Sequence, residues 1–194
     1  MSNDIRLIVG LGNPGSEYDQ TRHNAGFWFI EEFARYFSTP LTSEPKYFGI
    51  TGRLPAPYPD TRLLMPMTFM NRSGQSVAPL ANFFKVNPEQ VLVVHDELDL
   101  EPGVARFKQG GGHGGHNGLK DIIRCFGNNN NFHRLRIGIG HPGHSDQVTG
   151  HVLGKPPQNE RQAIHSIIDD AVRAVDIALA KGWLDAKQYL HSVR

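Results

Sequence analysis

The chain has 194 residues, of which 39% are hydrophobic and 20% charged, and its formal net charge is +1. These values predict one soluble globular domain over residues 1–194, and they exclude a disordered or fibrous chain. No apolar run approaches the ~20 residues that a membrane-spanning helix needs. The single cysteine, Cys125, and the polar start of the chain indicate a cytoplasmic protein without disulfides.

The first predicted element is a buried strand over residues 5–11, which runs into the glycine turn 10–15. A polar segment, 21–26, follows and leads into a helix over 25–37, where apolar residues recur at helical spacing. An open α/β sheet binds its ligands at the carboxyl ends of its strands. Asn13 and His23 therefore lie where a ligand would bind.

The middle of the chain predicts a hairpin followed by a helix. Segments 46–54 and 61–66 have strand character and are separated by a proline-rich turn. A helix is expected over 73–84, with Pro79 inside it. The remaining elements are strands 90–95, 104–108 and 132–139, helices 117–125, 157–181 and 184–191, and a mobile loop over 140–157. This alternation predicts a layered α/β fold.

The first glycine turn also matches a dinucleotide-binding fingerprint, Gly10-x-Gly12-x-x-Gly15, with Glu31 and Glu32 near the position of the ribose-binding acid. Two features argue against that function. Pro14 removes a backbone N–H that a pyrophosphate would need. Helical spacing places both glutamates inside a helix rather than at the end of a second strand. A dinucleotide-dependent oxidoreductase remains the alternative hypothesis.

Polar side chains follow three of the predicted strands. Asn13, Asn71 and Asp96 each come after a strand, and they meet at one sheet edge if those strands are parallel neighbours. His23 and Asn117 can join them from flanking loops. This convergence predicts an active site.

The residue types indicate hydrolysis by a water molecule. Histidine is a common general base, and Asp96 would hold the tautomer of the His23 ring. The asparagine amides offer both a donor and an acceptor, which matches a peptide group. No serine elbow is present, and the only cysteine is expected in the core, so a covalent intermediate is not predicted. Helix capping by Asn71, Asn117 and Asp96, and a structural role for His23, are the alternatives.

The charges are unevenly distributed along the chain. Six basic residues and one acid lie between Val104 and Arg136, which favours a polyanionic substrate over a merely solvated face. His113 and His116 are spaced like metal ligands, but no His-Glu-x-x-His helix is present and a glycine run is a poor frame for ligands. No metal is therefore predicted.

Taken together, these motifs resemble the bacterial-type peptidyl-tRNA hydrolase family. The resemblance covers seven blocks: 10–15, 21–26, 67–74, 95–99, 110–119, 132–140 and 150–155. It implies a twisted, mixed and mostly parallel sheet flanked by helices, of the phosphorylase/hydrolase-like type. It also implies a monomeric esterase, without metal or cofactor, that frees tRNA from peptides shed by stalled ribosomes.

The resemblance assigns roles to single residues. It makes His23 the catalytic base, Asp96 its orienting partner and Asn13 part of the catalytic set. The residues implied at the peptide, ester and tRNA sites are Tyr18, Met70, Asn71, His116 and Asn117, with Lys108 and Arg136 as the clamp for tRNA phosphates. Many family members carry basic residues where this chain has His141 and Ser145, which leaves the strength of the clamp open. A tRNA-binding module without catalysis is the other alternative.

Overall fold

The structure, a computed structural model, describes residues 4–193. Its strands are β1 (Leu7–Gly10), β2 (Thr42–Glu44), β3 (Gly49–Arg53), β4 (Arg62–Pro66), β5 (Val91–Glu97), β6 (Ala105–Gln109) and β7 (His133–Gly138). Its α-helices are α1 (Ala25–Tyr36), α2 (Gly74–Phe83), α3 (Asn117–Cys125), α4 (Val148–Val152), α5 (Gln158–Lys181) and α6 (Trp183–Ser192). Among these residues, no helix is long and apolar enough to cross a membrane.

All seven strands belong to one sheet, in the order β2-β3-β4-β1-β5-β7-β6. The four central strands, β4, β1, β5 and β7, run parallel to one another. The outer strands β2, β3 and β6 pair antiparallel with their neighbours. The mixed, mostly parallel sheet flanked by helices is therefore confirmed, and so is the hairpin of β3 and β4.

Helices cover both faces of the sheet, which explains why the central strands are apolar throughout. Every residue of β1 is buried. Leu7 and Val9 pack on the face that α2 and α3 cover. Ile8 points to the opposite face, into the core shared with α1, α5 and α6.

Two glycines bring α1 directly against the end of β1. A Cβ on Gly10 would lie 2.2 Å from the carbonyl oxygen of Gly26, and a Cβ on Gly26 would lie 2.4 Å from the backbone nitrogen of Leu11. Real Cβ atoms do not approach so closely, so both positions need glycine. This contact places the segment before α1, which carries His23, beside the carboxyl end of β1.

Three predictions made from the sequence need correction. Residues 140–157 were expected to form a loop, but Ser145–Gln147 form a 3₁₀ turn that continues into α4. A helix of five residues is too short to show a periodic pattern. The exposed edge strand β2 was not predicted, since its three residues are polar. Cys125 was expected in the core but is only partly buried, at the end of α3.

Candidate active site

A cleft of about 410 Å³ opens at the carboxyl end of the parallel strands. The condition under which the polar residues would meet, that β4, β1 and β5 are parallel neighbours, is met by their pairing. The segments after β1 and β4, the last residues of β5, the segment before α1 and the start of α3 form one part of the cleft, the catalytic end; Asp96 was expected to follow its strand but lies inside β5, which runs to Glu97. Its polar lining at this end includes Asn13, His23, Asn71, Asp96, His116 and Asn117. The five segments that were predicted from the sequence to converge therefore do meet at one site.

A histidine and a carboxylate form the centre of this end. His23 Nδ1 lies 2.9 Å from Asp96 Oδ2, although 73 residues separate them in sequence. The two residues are only 9% and 4% exposed. An ionised carboxylate can only accept hydrogen bonds, so His23 carries its proton on Nδ1 and has a basic lone pair on Nε2. This is the arrangement that a general base requires.

The pair shifts both pKa values in the direction of a charged complex. Burial lowers the pKa of His23, but the facing charge and hydrogen bond of Asp96 outweigh it and raise that pKa above its usual 6.5. Burial alone would raise the pKa of Asp96, yet the neighbouring His23 and His116 hold it below its ordinary value. Asp96 therefore stays ionised at neutral pH and stabilises the imidazolium that forms when His23 takes a proton.

His116 fixes the other oxygen of Asp96. Its Nε2 lies 2.9 Å from Asp96 Oδ1, while its Nδ1 accepts hydrogen bonds from the backbone N–H groups of Gly118 and Leu119 at 3.2 and 3.3 Å. These backbone donors require a lone pair on Nδ1, so the Nε2 proton is donated to Asp96. His116 thus links the N-terminus of α3 to the catalytic carboxylate.

The alternative roles as helix caps do not fit this geometry. His116, and not Asn117, is the N-cap residue of α3. No side chain caps the N-terminus of α2, whose N-cap residue is Ser73. Asn71 lies in the 3₁₀ turn that precedes α2, and the carboxylate of Asp96 bonds the two histidines.

Asn13 is held by bonds to its backbone and to its side chain. The amide of Asn24, which is 1% exposed, accepts from the Asn13 N–H at 2.9 Å and donates to the Asn13 carbonyl at 3.0 Å. Asn13 Oδ1 in turn accepts from the backbone N–H of Met70 at 2.7 Å. This bond identifies which terminal atom of the Asn13 side chain is the oxygen. The Nδ2 amide is therefore the group that Asn13 can direct to a ligand.

The other predicted residues of this end differ in exposure. Asn71 and Asn117 are exposed at the rim, whereas Met70 is buried in the wall of the cleft. Tyr18 does not line the cleft. Its ring packs edge-on against the exposed ring of Phe69, at 6.3 Å between centroids, and Phe69 is the residue that lines it.

The part of the cleft lined by β6 and β7 is cationic and is called the cationic end below; it adjoins the catalytic residues, because Arg136 pairs with His95 in the strand register. Lys108 on β6 and Arg136 on β7 both line it, as predicted from the resemblance, and Arg134 accompanies them. Strand register places Lys108 opposite Arg134, and alternation along β7 puts Arg134 and Arg136 on one face of the sheet. One cleft thus joins a histidine–carboxylate pair to a surface suited to phosphate groups.

The geometry does not favour a bound dinucleotide. Glu31 and Glu32 lie within α1, as predicted. A Cβ on Gly12 would lie 2.7 Å from the ring of Phe27, so the glycine turn is needed for packing against α1. The one group suited to a metal among residues 4–193 is His23, Asp96 and His116, whose ligand atoms lie within 4.8 Å of one another. Both oxygens of Asp96 already accept hydrogen bonds there, one from each histidine.

Comparison with known proteins agrees with this geometry. The model of the family described as peptidyl-tRNA hydrolase matches residues 7–194. The peptidyl-tRNA hydrolase of Shewanella amazonensis is 61% identical over 191 residues, which cover 98% of each chain. That of Vibrio cholerae is 55% identical over 194 residues, which cover 100% of this chain and 99% of the relative.

Solved structures agree as well. The crystal structure of peptidyl-tRNA hydrolase from Acinetobacter baumannii superposes with a TM-score of 0.95 at 54% identity, covering 100% of this chain and 97% of that one. A complex of peptidyl-tRNA hydrolase with N-propanol gives the same TM-score, identity and coverage. The chain belongs to the peptidyl-tRNA hydrolase family. It is therefore a hydrolase, and the oxidoreductase hypothesis is wrong.

The two positions at which this family member departs from the expected basic pattern do not line the cleft. His141 and Ser145 are exposed, and neither lines the cleft with Lys108 and Arg136. His141 instead borders a second cavity, of about 340 Å³, beside Glu101 and His151.

Sequence reasoning missed residues that shape the cleft of this hydrolase. His95 is buried against His116, at 5.1 Å between ring centroids, and burial and His116 lower its pKa to about 3, so it is neutral. Val148 and Val152 of α4 form part of the apolar wall. Arg22 anchors α4 by donating to the carbonyl of His151 at 2.9 Å. The sequence signals for this contact were the block 150–155 and the Arg22-His23 pair before α1. Neither signal alone shows that the two segments touch.

Proposed function

We propose that this chain hydrolyses the ester that joins a peptide to the terminal ribose of tRNA, with His23 as the general base. The observation that carries the proposal is the contact between His23 and Asp96, at 2.9 Å, in a cleft that also contains Lys108 and Arg136. A base and a group of cations in the same cleft match an ester next to phosphates.

The reaction proceeds in two steps at His23. Its Nε2 takes a proton from water while the water oxygen attacks the carboxyl carbon of the peptide ester. The tetrahedral intermediate then collapses, and the bond to the ribose oxygen breaks. That oxygen takes the proton from His23, so the products are free tRNA and a peptide acid. Between the two steps, Asp96 stabilises the imidazolium of His23. It also keeps the other ring proton of His23 on Nδ1.

Asn13 is the donor proposed for the oxyanion. Its oxygen is occupied by the Met70 N–H, so Nδ2 is the group directed at the negative charge that develops on the ester oxygen. Asn24 holds the Asn13 backbone in place through two hydrogen bonds. A fixed donor costs no reorganisation, and loss of such a donor reduces kcat by ~10²–10³-fold.

Asn71 and Asn117 are proposed to recognise the peptide. Both are exposed at the rim of the cleft near His23, where their amides can pair with a peptide group. An ordinary aminoacyl-tRNA presents a free α-ammonium in place of that amide. Sites built on hydrogen bonds reject analogues without the partner by ~10⁴–10⁵-fold. This recognition would spare aminoacyl-tRNA. Met70 would pack against the ester, and Tyr18 would act by supporting Phe69.

Lys108 and Arg136 are proposed to bind tRNA phosphates. Such contacts position the nucleic acid without reading its sequence, so a broad range of tRNAs would be accepted. Every group required by the reaction is supplied by one chain, so we propose that the enzyme acts as a monomer, without metal or cofactor.

Incubation with N-acetyl-aminoacyl-tRNA and with the unblocked aminoacyl-tRNA tests the function and the specificity together. The first substrate should be deacylated rapidly and the second slowly. Equal rates for both would contradict recognition of the amide. Binding of tRNA without any release of product would instead indicate a tRNA-binding module.

A chelator separates this mechanism from a metal-dependent hydrolase. Treatment with EDTA followed by gel filtration should leave the rate unchanged, because both oxygens of Asp96 already accept hydrogen bonds, from His23 and from His116. Inhibition that is reversed by added Zn²⁺ would show that these three residues hold a metal.

A further inference from the structure

A glycine loop at the cationic end of the cleft is shaped by one buried arginine. Arg134 is 2% exposed and donates to the carbonyls of Gly112 and Gly111, at 2.5 and 2.6 Å, from its two terminal nitrogens. Its guanidinium also lies over the ring of Phe132, at 4.6 Å. The fork geometry of arginine fits two adjacent carbonyls, so both carbonyls of the loop are turned toward the protein interior.

The direction of these carbonyls determines the direction of two N–H groups. In a trans peptide the N–H is antiparallel to the carbonyl of the preceding residue, and the only cis peptide bond among the described residues is Ala56–Pro57. The N–H groups of Gly112 and His113 therefore point away from Arg134. Within residues 4–193 neither N–H has a hydrogen-bond acceptor in the protein. Both residues are exposed and line the cleft.

The surroundings of this loop favour an anion. A Cβ on Gly111 would lie 2.8 Å from Lys108 Nζ, so the ammonium group lies directly against the loop. In the described part of the chain no carboxylate forms a salt bridge with Lys108, Arg134 or Arg136. The buried Nε atoms of Arg134 and Arg136 also lack a partner there. Glu97 and Asp99 also line the cleft, and Glu97 partly offsets the charge of Arg134, but neither forms a salt bridge with these three cations. A bound anion would further offset the cost of burying Arg134.

We propose that the backbone N–H groups of Gly112 and His113, together with Lys108, form a cradle for a phosphate group, and that Arg134 is the positioning residue that shapes it. Successive backbone N–H groups in a glycine loop bind phosphate in this way in other proteins. The phosphate is assigned to tRNA because the inference rests on the proposed function. Arg134 acts on the loop and does not itself contact the phosphate.

The test uses full-length protein, deacylated tRNA and inorganic phosphate. Arg134→Lys keeps the positive charge but loses the two-pronged contact with the carbonyls, and it should weaken tRNA binding by about tenfold. Gly112→Pro removes one N–H of the cradle and should have a similar effect. Gly112→Ala keeps the N–H, and its Cβ would meet no atom within 4 Å, so it should bind several-fold more tightly than the proline variant. Arg124→Lys, on the exposed side of α3, is the matched control for Arg134→Lys.

Fluorescence anisotropy with tRNA gives the Kd values, and amide chemical shifts during a phosphate titration locate the anion. Shifts at Gly112 and His113 in the wild type, reduced in Arg134→Lys, are expected. Wild-type affinity in both Arg134→Lys and Gly112→Pro would overturn the proposal. Shifts with inorganic phosphate but unchanged tRNA affinity would overturn the assignment to tRNA. Neither readout needs hydrolysis, so a wild type that binds tRNA without cleaving N-acetyl-aminoacyl-tRNA would refute the proposed function alone.

Discussion

The catalytic end and the cationic end of the cleft have different functions and are built from different kinds of side chain. At the catalytic end, His23 and Asp96 are buried, and Asp96 receives a hydrogen bond on each of its oxygens. At the cationic end, where phosphate is proposed to bind and which is called the phosphate end below, Lys108 is exposed. It forms no salt bridge with a carboxylate among residues 4–193. The first end is preorganised by hydrogen bonds, whereas at the second end Lys108 presents its charge to solvent beside the buried Arg134.

This difference predicts different responses to the surroundings. Buried pairs are weakly screened by salt, while exposed cations are strongly screened beyond ~10 Å at 0.1 M ionic strength. Changes at the catalytic end should therefore act mainly on kcat and on its pH dependence. Changes at the phosphate end should act mainly on KM and on its salt dependence. Each of the following variants can break this separation.

The largest effect is expected from His23→Asn. It removes the base, which supplies ~10²–10⁴-fold of rate enhancement, so kcat with N-acetyl-aminoacyl-tRNA should fall by up to ~10⁴-fold. The Kd for deacylated tRNA should stay within a few-fold of the wild type, since the cations at the other end are untouched. His144→Asn, at an exposed histidine outside the cleft, is the control. Full activity in His23→Asn would remove His23 from the mechanism.

Asp96→Asn should have the next largest effect and should change the pH profile. The pKa of His23 lies above 6.5 because the attraction of Asp96 outweighs the opposing effect of burial. The base is the neutral form, so wild-type kcat/KM should fall as the pH drops through that raised pKa. Without the carboxylate, burial lowers the pKa of His23, and the acidic limb moves to lower pH while kcat falls by ~10²-fold or more. An acidic limb at the wild-type pH would show that another group controls it.

His116 separates support of catalysis from helix capping. Asparagine is a good N-cap residue but is too short to make the bond from His116 Nε2 to Asp96. His116→Asn should therefore keep the melting temperature close to that of the wild type and lower kcat by about tenfold, since a hydrogen bond to a charged group is lost. His116→Ala should lose both roles, with an additional destabilisation of about 1 kcal/mol. Equal kcat in His116→Asn and the wild type would limit His116 to capping.

Much of the fold could be predicted because periodicity and turn residues are local. The apolar run of β1, the helical spacing of α1 and the glycine that follows α5 indicate elements whose bounds differ from the structure by a few residues. The two elements that were missed, β2 and α4, have three and five residues. Their positions depend on tertiary contacts, such as the bond from Arg22 to the carbonyl of His151, and no local pattern shows such contacts.

Which residues meet in the site was predictable, but not how they bond. Asn13 and Asn71 follow β1 and β4, and Asp96 is the penultimate residue of β5; these three strands are parallel neighbours, so topology brings the residues together. The direction of each hydrogen bond depends on the backbone around it. His116 was expected only to border the site, yet its contacts with α3 fix its tautomer and make it a donor to Asp96. The amide direction of Asn13 is likewise set by the N–H of Met70.

The smallest of these effects should come from Lys108→Met, and it is the sharpest test of the separation between the two ends. Loss of one cation–phosphate contact should raise KM about fivefold near 0.1 M salt and should reduce the slope of log Kd against log salt by ~1. The control is Lys181→Met, at the end of α5 and outside the cleft, which should keep the wild-type slope. The acidic limb set by His23 should stay in place, because a screened, exposed charge exerts little influence on a buried pair. A shift of that limb in Lys108→Met would show that the two ends are electrostatically coupled, and the phosphate end would then take part in setting the pKa of the base.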